Sequence, residues 1–380
     1  MIHLPSAGRR QSLRTLLGLS LGTAVPAMAQ SSKGTATRGI AVAQIVDMSA
    51  SQIDVSKDFL VGSRTAWQEI NAKGGIQGSQ VKHLVIEVDG SAASLRSALD
   101  SVKSDAHCVA LFGTAGDRTA SQLSGMLKRE GQDLSHVAPW LQNVDAVSFS
   151  STFPIFASRQ EQIAHAIKSL SVMGITQVGA VYGSIAEYTT YRSDLEEIAR
   201  ALKLAIVPYH TDGDLRDLAQ TLTPDSPRVL LFVGGTPEMV RFAQGVEKQA
   251  VQRYLIAMSD VNLQSIQQLG ASRFTPMIAT QVVPMVNSSI PVVRAYRNAL
   301  GRLFDEPPTP LSLAGYIAAR YTFEVLQGID ASVSRSNALT AFARRQPVDL
   351  GGFRITPDNK GLGAAFVTQS MVAADGRLVG

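Results

Sequence analysis

The 380-residue sequence contains a single cysteine, Cys108, so no disulfide can form within the chain. A fold of this size without disulfides must be held by its core, and with 45% apolar residues the composition supplies one. Excess charge is also lacking. The formal net charge is +4, but Arg9, Arg10 and Arg14 fall within the first 29 residues, where no acid stands, and setting them aside leaves +1. That is no electrostatic footprint for nucleic acid. Beyond the N-terminus no window approaches the roughly 18 apolar residues of a membrane span. The six histidines (3, 83, 107, 136, 165 and 210) show no metal-ligand spacing. Neither a Gly-x-Ser-x-Gly elbow nor a phosphate-binding loop occurs, and Gly113-Thr114-Ala115-Gly116-Asp117 is only a fragment of a dinucleotide fingerprint. These absences argue for a chain that is not an enzyme and carries no cofactor or metal.

What is present begins with an export signal. GRRQSLRTLLGLSLGTAVPAMAQ has a charged start, a short apolar stretch from Leu16 to Val25 and an A-x-A site at Ala27-Met28-Ala29. Arg9-Arg10 resembles a twin-arginine signal, and Gly18 and Gly22 keep the stretch only moderately apolar, which suits that route. Cleavage is expected between Ala29 and Gln30, leaving a linker over 30–38 and a mature protein in the periplasm with no membrane insertion. No lipobox cysteine precedes the cleavage point.

From residue 39 the pattern alternates between strand and helix. GIAVAQIVD reads as a buried strand and Val61–Ala72 as a helix, and the stretch TAWQEINAKGGIQGSQVKHLVIEVDG shows the joint between such units. Its helix ends in Gly74-Gly75, where glycine accepts the left-handed cap that other residues resist, and a period-2 strand follows. Cys108–Phe112 is a strand, and Thr119–Arg129 a helix. After residue 158 the alternation restarts, with helices expected over Arg159–Met173, Tyr191–Leu202, Met239–Gln249, Val292–Leu303 and Leu313–Val325. The fold class is α/β, with two doubly wound parallel-sheet lobes. Ligands of such sheets lie beyond the carboxyl ends of the strands, so two facing lobes would make a cleft.

EINAKGGIQG followed by a strand and Asp89 resembles the signature of the type I periplasmic solute-binding proteins, the leucine/isoleucine/valine-binding family of branched-chain amino acid ABC transporters. LLFVGGTPEMVRFAQGVEKQ, ATQVVPMVNSSIPVVRAYRNAL, LAGYIAARYTFEVLQ and GGFRITPDNKGLG resemble later parts of that family, in order, over about 39–380. The resemblance implies a three-crossing hinge near Phe156–Arg159, Pro284 and Phe353. It implies lobe one over 39–157 with 285–345, and lobe two over 158–284 with 346–380. It also implies a monomer that captures a small polar or amphipathic solute and delivers it to an ABC permease in the inner membrane. The alternative is a ligand-sensing protein that docks on a membrane receptor.

The resemblance further implies the rim of the site. Asp47 and Ser49 follow the first strand; Thr114, Ala115, Asp117 and Thr119 follow the third; Trp140 and Gln142 stand at the next turn. Lobe two would add Glu187, Tyr188, Thr236, Ser259 and Asp260, with Asp260 as the contact for a ligand cation. Departures from the family pattern concentrate in lobe one. Asp117 falls where a ligand carboxylate would be repelled, unless it serves as a helix cap, and Trp140 stands where a small residue is expected, either to stack on a ligand or to pack between helices. An ordinary branched-chain amino acid is therefore a less natural solute than the fold alone suggests.

Overall fold

The computed structural model describes residues 39–131, 134–143, 150–269, 275–356, 366–372 and 378–379. The expected signal peptide, its cleavage point and the linker lie outside the described residues, as do the turns that Pro357–Gly361 and Asp375-Gly376 suggest in the sequence.

The first lobe opens with β1 (Ile40–Asp47), α1 (Ile53–Ala72), β2 (Val81–Val88), α2 (Ala92–Ser104), β3 (Cys108–Phe112), α3 (Asp117–Glu130), β4 (Ser135–Val137) and β5 (Thr152–Phe153). The strands form one parallel sheet in the order β2-β1-β3-β4-β5. Every residue of β1 is buried, as expected for a central parallel strand covered by helices on both faces.

The second lobe contains α4 (Arg159–Val172), β6 (Gln177–Tyr182), α5 (Ile185–Ala201), β7 (Ala205–Tyr209), α6 (Leu215–Gln220), β8 (Val229–Val233), α7 (Thr236–Val246), β9 (Tyr254–Ala257), α8 (Leu263–Gln268) and β10 (Met277–Gln281). The chain then returns to the first lobe with α9 (Pro291–Leu303), α10 (Pro310–Gln327), α11 (Arg335–Ala343) and the small hairpin β11 (Val348–Asp349) and β12 (Arg354–Ile355). It crosses once more to place β13 (Thr368–Val372) and β14 (Leu378–Val379) on the second sheet. That sheet runs β14-β13-β10-β9-β8-β6-β7, parallel except where β13 pairs antiparallel with β10 and β14. The chain thus passes between lobes three times.

Two differences from the sequence expectations bear on the first lobe. α1 begins at Ile53 rather than Val61, and the reason is Gly62. This glycine sits in the helix interior because α10 crosses it: a Cβ there would lie 1.6 Å from the Ser312 carbonyl oxygen. The other concerns the return to lobe two, expected at 346. Leu350, Phe353 and Ile355 pack in the same core as α9 and α10, so this segment stays with the first lobe.

The joint after α1 shows why its glycines are needed. Gly74, Gly75 and Gly78 have φ of +107°, +72° and +78°, and a Cβ on Gly75 would meet the Ser79 carbonyl oxygen at 1.9 Å. Asn71 locks the joint to the sheet: its Nδ2 donates to Val81 O at 2.8 Å while its Oδ1 accepts from Val81 N at 2.8 Å.

Candidate functional site

In each sheet the strand order reverses between two neighbours, β1 and β3 in the first, β6 and β8 in the second. Loops leaving the carboxyl ends there diverge to opposite faces and leave a crevice. An open cleft of about 970 Å³ is lined by Ala50, Ser51 and Asp54 of the first lobe and Thr236, Glu238 and Arg241 of the second. The starts of α1 and α7 both reach it, and neither helix has a side-chain cap on its first N–H groups.

Most of the expected first-lobe residues are committed to one another. Asp47 is 2% exposed; its Oδ1 accepts from Ser49 N at 2.9 Å and its Oδ2 from Thr119 Oγ1 at 2.7 Å. Thr114 Oγ1 lies 2.9 Å from His136 Nε2 inside the core. Ala115 N donates to Ile45 O, so that N–H is not free for a ligand. Ser49 is half-buried and stays at the rim.

Trp140 is a packing residue. It is 2% exposed, with its ring centroid 5.8 Å from that of Phe59 and 5.3 Å from that of Phe156. The physical reason is that Phe59 of α1 and Phe156 of the first crossing close around the ring in the first-lobe core. Asp117 does not cap α3 either; it is the first residue of that helix, after Gly116. Its Oδ1 accepts from Gln142 N at 2.6 Å and Asn143 N at 3.1 Å, tying two first-lobe loops together.

Gln142 carries the contact onward to the second lobe. Its Oε1 accepts from Gln162 Nε2 at 2.9 Å, and Gln162 Oε1 in turn accepts from Ser259 N at 2.9 Å and Thr280 Oγ1 at 2.8 Å. Thr236 Oγ1 accepts from Asn262 N at 2.9 Å, bracing the turn that carries Ser259 and Asp260. Tyr188 is turned to other work: its ring stacks on His210 at 3.9 Å and meets Tyr182 edge-on at 5.2 Å.

Asp260 and Glu187 do come together, but around a residue that the sequence reading passed over as a site residue. Arg159 Nη1 donates to Glu187 Oε2 at 2.7 Å and Nη2 to Asp260 Oδ2 at 2.6 Å. Its guanidinium carbon stands 5.1 Å from the Tyr191 ring centroid. Burial works against the Arg159 charge, but Asp260 and Glu187 outweigh it and hold the guanidinium protonated. Burial pushes Asp260 up to about 6, with Arg159 opposing. Asp117 is also raised by burial, against the pull of Arg159 and its two N–H bonds. The cation expected from a ligand at Asp260 is therefore supplied, at that oxygen, by the protein itself.

A second contact crosses between lobes. Asn262 Nδ2 donates to Asp58 Oδ2 at 3.0 Å, beside a cavity of about 330 Å³ that also reaches Ser259, Gln281 and Thr309. Burial pushes Asp58 up to about 6, against a hydrogen bond with Thr309.

The fold has close structural likenesses. An extracellular ligand-binding receptor from Verminephrobacter eiseniae superposes with a TM-score of 0.82 at 17% identity, covering 90% of this chain and 100% of that one. The branched-chain amino acid transporter substrate binding protein LivJ from Streptococcus pneumoniae, in complex with isoleucine, gives 0.75 at 13% identity, covering 90% and 98%. A fatty acid ABC transporter substrate-binding protein from Thermomonospora curvata gives 0.76 at 12% identity, covering 90% and 91%. At these identities the likeness is one of fold. No curated protein matches the sequence. The sequence model of the periplasmic binding proteins matches residues 39–376, nearly the whole span after the N-terminal segment. The chain belongs to the periplasmic binding protein family.

Proposed function

We propose that this chain is the solute-capturing component of an ABC importer, holding a small polar or amphipathic organic solute in the interlobe cleft and handing it to a permease in the inner membrane. One observation carries the reading: both sheets turn the carboxyl ends of their reversal points toward a single cleft whose walls come from both lobes. Closure on a solute would then be a hinge motion about the three crossings, and the closed form would be what the permease recognises. The relatives support a broad solute range, since one holds isoleucine and another is named for fatty acids. Export through the N-terminal signal, cleavage after Ala29 and a monomeric mature form complete the proposal. Ser49, Thr236 and Ser259 remain the rim groups of the expected set best suited to touch the solute.

The test is native mass spectrometry of the protein purified from its periplasmic fraction, followed by small-angle scattering before and after the retained solute is removed. Retention of one defined small molecule, with a smaller radius of gyration when it is bound, is the expected result. An identical radius in both states would remove hinge closure from the mechanism.

A further inference from the structure

Arg159 starts α4, Glu187 lies in the first turn of α5, and Asp260 follows β9. All three belong to the second lobe. Two carboxylates converging at the carboxyl end of a sheet form, by charge alone, a receptor for a cation. Here the receptor is filled from within. Each Nη of Arg159 takes one carboxylate, the ring of Tyr191 supports the guanidinium, and only 4% of the Arg159 side chain is exposed.

We propose that Arg159 is a specificity-determining residue: a built-in cation that occupies the Glu187–Asp260 pair and restricts the cleft to solutes with no cationic group, neutral or carboxylate-bearing molecules rather than amines or α-amino acids. The inference rests on the reading of the chain as a cleft-binding protein. A solute ammonium at Asp260 would have to share the pair with a guanidinium already in contact, or displace a buried charge from its partners; both are unfavourable.

Acid is in surplus, since Asp117 also acts on the guanidinium, giving three carboxylates to one cation. Burial raises both Asp117 and Asp260, which lessens that surplus. The unspent groups fit a solute that needs no charge of its own. Arg159 Nε and Gln142 Nε2 are buried donors with no partner among the described residues, and the uncapped start of α7 adds backbone N–H groups at the cleft. These suit carbonyl, hydroxyl or carboxylate oxygens. Asp260 Oδ1 and Ser259 Oγ, also without partners, can be met by a solute hydroxyl.

The experiment compares three probes with one branched skeleton: L-leucine, isopentylamine and 4-methylpentanoate, titrated calorimetrically into the native protein and into Arg159→Met. The native protein is expected to bind neither L-leucine nor isopentylamine. Arg159→Met, which keeps the apolar stem and removes the charge, is expected to bind isopentylamine saturably, at least tenfold more tightly than the detection limit of the native titration. Adding Glu187→Gln and Asp260→Asn to that variant should abolish the gain. Saturable binding of L-leucine or isopentylamine by the native protein would overturn the proposal. So would a folded Arg159→Met, with a cooperative melt, that gains no affinity for the amine. If the methionine variant does not fold, Arg159→Gln takes its place, and the native titrations decide on their own. A retained native solute containing a basic nitrogen would also overturn it. Failure of the importer reading is separable, because it would show as no retained solute and no lobe closure while the amine gain stays readable.

Discussion

Trp140 and His136 show how far a side chain's chemistry can mislead when its neighbours are unseen. Trp140 stands at a turn after a first-lobe strand, where the sequence allowed either stacking on a solute or packing, and its contacts with Phe59 and Phe156 decide for packing. Trp140→Ala is accordingly expected to lose about 3–5 kcal/mol of stability in urea denaturation, while any folded fraction keeps its solute affinity. His136 is wholly buried between Thr114 and Thr152, and burial pushes it down to about 3. Its folded value lies below the unfolded value of about 6.5, so its contribution to stability is present above pH 6.5 and is lost as pH falls toward 3. His136→Gln removes that term. The variant's stability relative to the native protein should therefore rise by roughly 1.4 kcal/mol for each pH unit below 6.5, as read from denaturation curves at pH 7, 6 and 5. A constant difference across that range would mean that His136 takes up its proton in the fold at the same pH as in the unfolded chain. Arg159 was partly legible. Ser158 and Glu161 form a capping box that fixes the start of α4 and so places a basic residue at the helix end that disfavours it. That mismatch signals acidic partners nearby. Which acids they are could not be read, since they lie 28 and 101 residues away in sequence.

Among the helices, glycine has two opposite meanings. Gly315 of α10 lies against α1, and a Cβ there would come within 1.9 Å of the Phe59 carbonyl oxygen. Gly301 of α9 has nothing within 4 Å of that position. Gly301→Ala should therefore stabilise the protein by about 0.5–1 kcal/mol, by narrowing the unfolded backbone. Gly315→Ala should cost several-fold more than that gain, because two helix backbones must separate, as overpacking typically costs about 1–3 kcal/mol or more. Thermal melts of the two variants check both signs. The same contrast explains what the sequence could and could not show about elements. The strand Cys108–Phe112 and the ends of α1 and α9 were legible, because local periodicity and turn residues fix them. The first two turns of α1 were not. Gly62 reads locally as a break, and only the crossing with α10 accounts for it. α8 and α11 were missed for a related reason: each is short, and α11 buries only Ala338 and Phe342, so neither has a sustained apolar stripe.

At the scale of the whole molecule, side-chain hydrogen bonds join the two lobes among the described residues. Besides the relay of Gln142 and Gln162 beside the first crossing, Asn262 on the second lobe donates to Asp58 on the first. An interlobe bond of this kind is made only while the two elements stay in contact, so it should weigh on the balance between open and closed forms. The carboxylate is the costly partner, because burial in the closed form raises Asp58 to about 6. Asp58's folded value exceeds the unfolded value of about 3.9, so its contribution to stability is complete below pH 4 and is lost as pH rises through 6; where opening returns Asp58 to water, the closed form loses the same contribution. Closure should therefore be favoured by mild acid. Asn262→Ala removes the donor and leaves the carboxylate with less compensation, which should shift the solute-free population toward the open form. A hydrogen bond to a partly exposed carboxylate contributes on the order of 1 kcal/mol, which corresponds to roughly fivefold weaker apparent affinity. Small-angle scattering of the solute-free variant should show a larger radius of gyration than the native protein at pH 7.5, where Asp58 is ionised and the lost donor matters most, with a smaller difference at pH 5, where Asp58 is largely neutral. Equal radii at pH 7.5 would mean that the Asp58–Asn262 bond follows closure without influencing it.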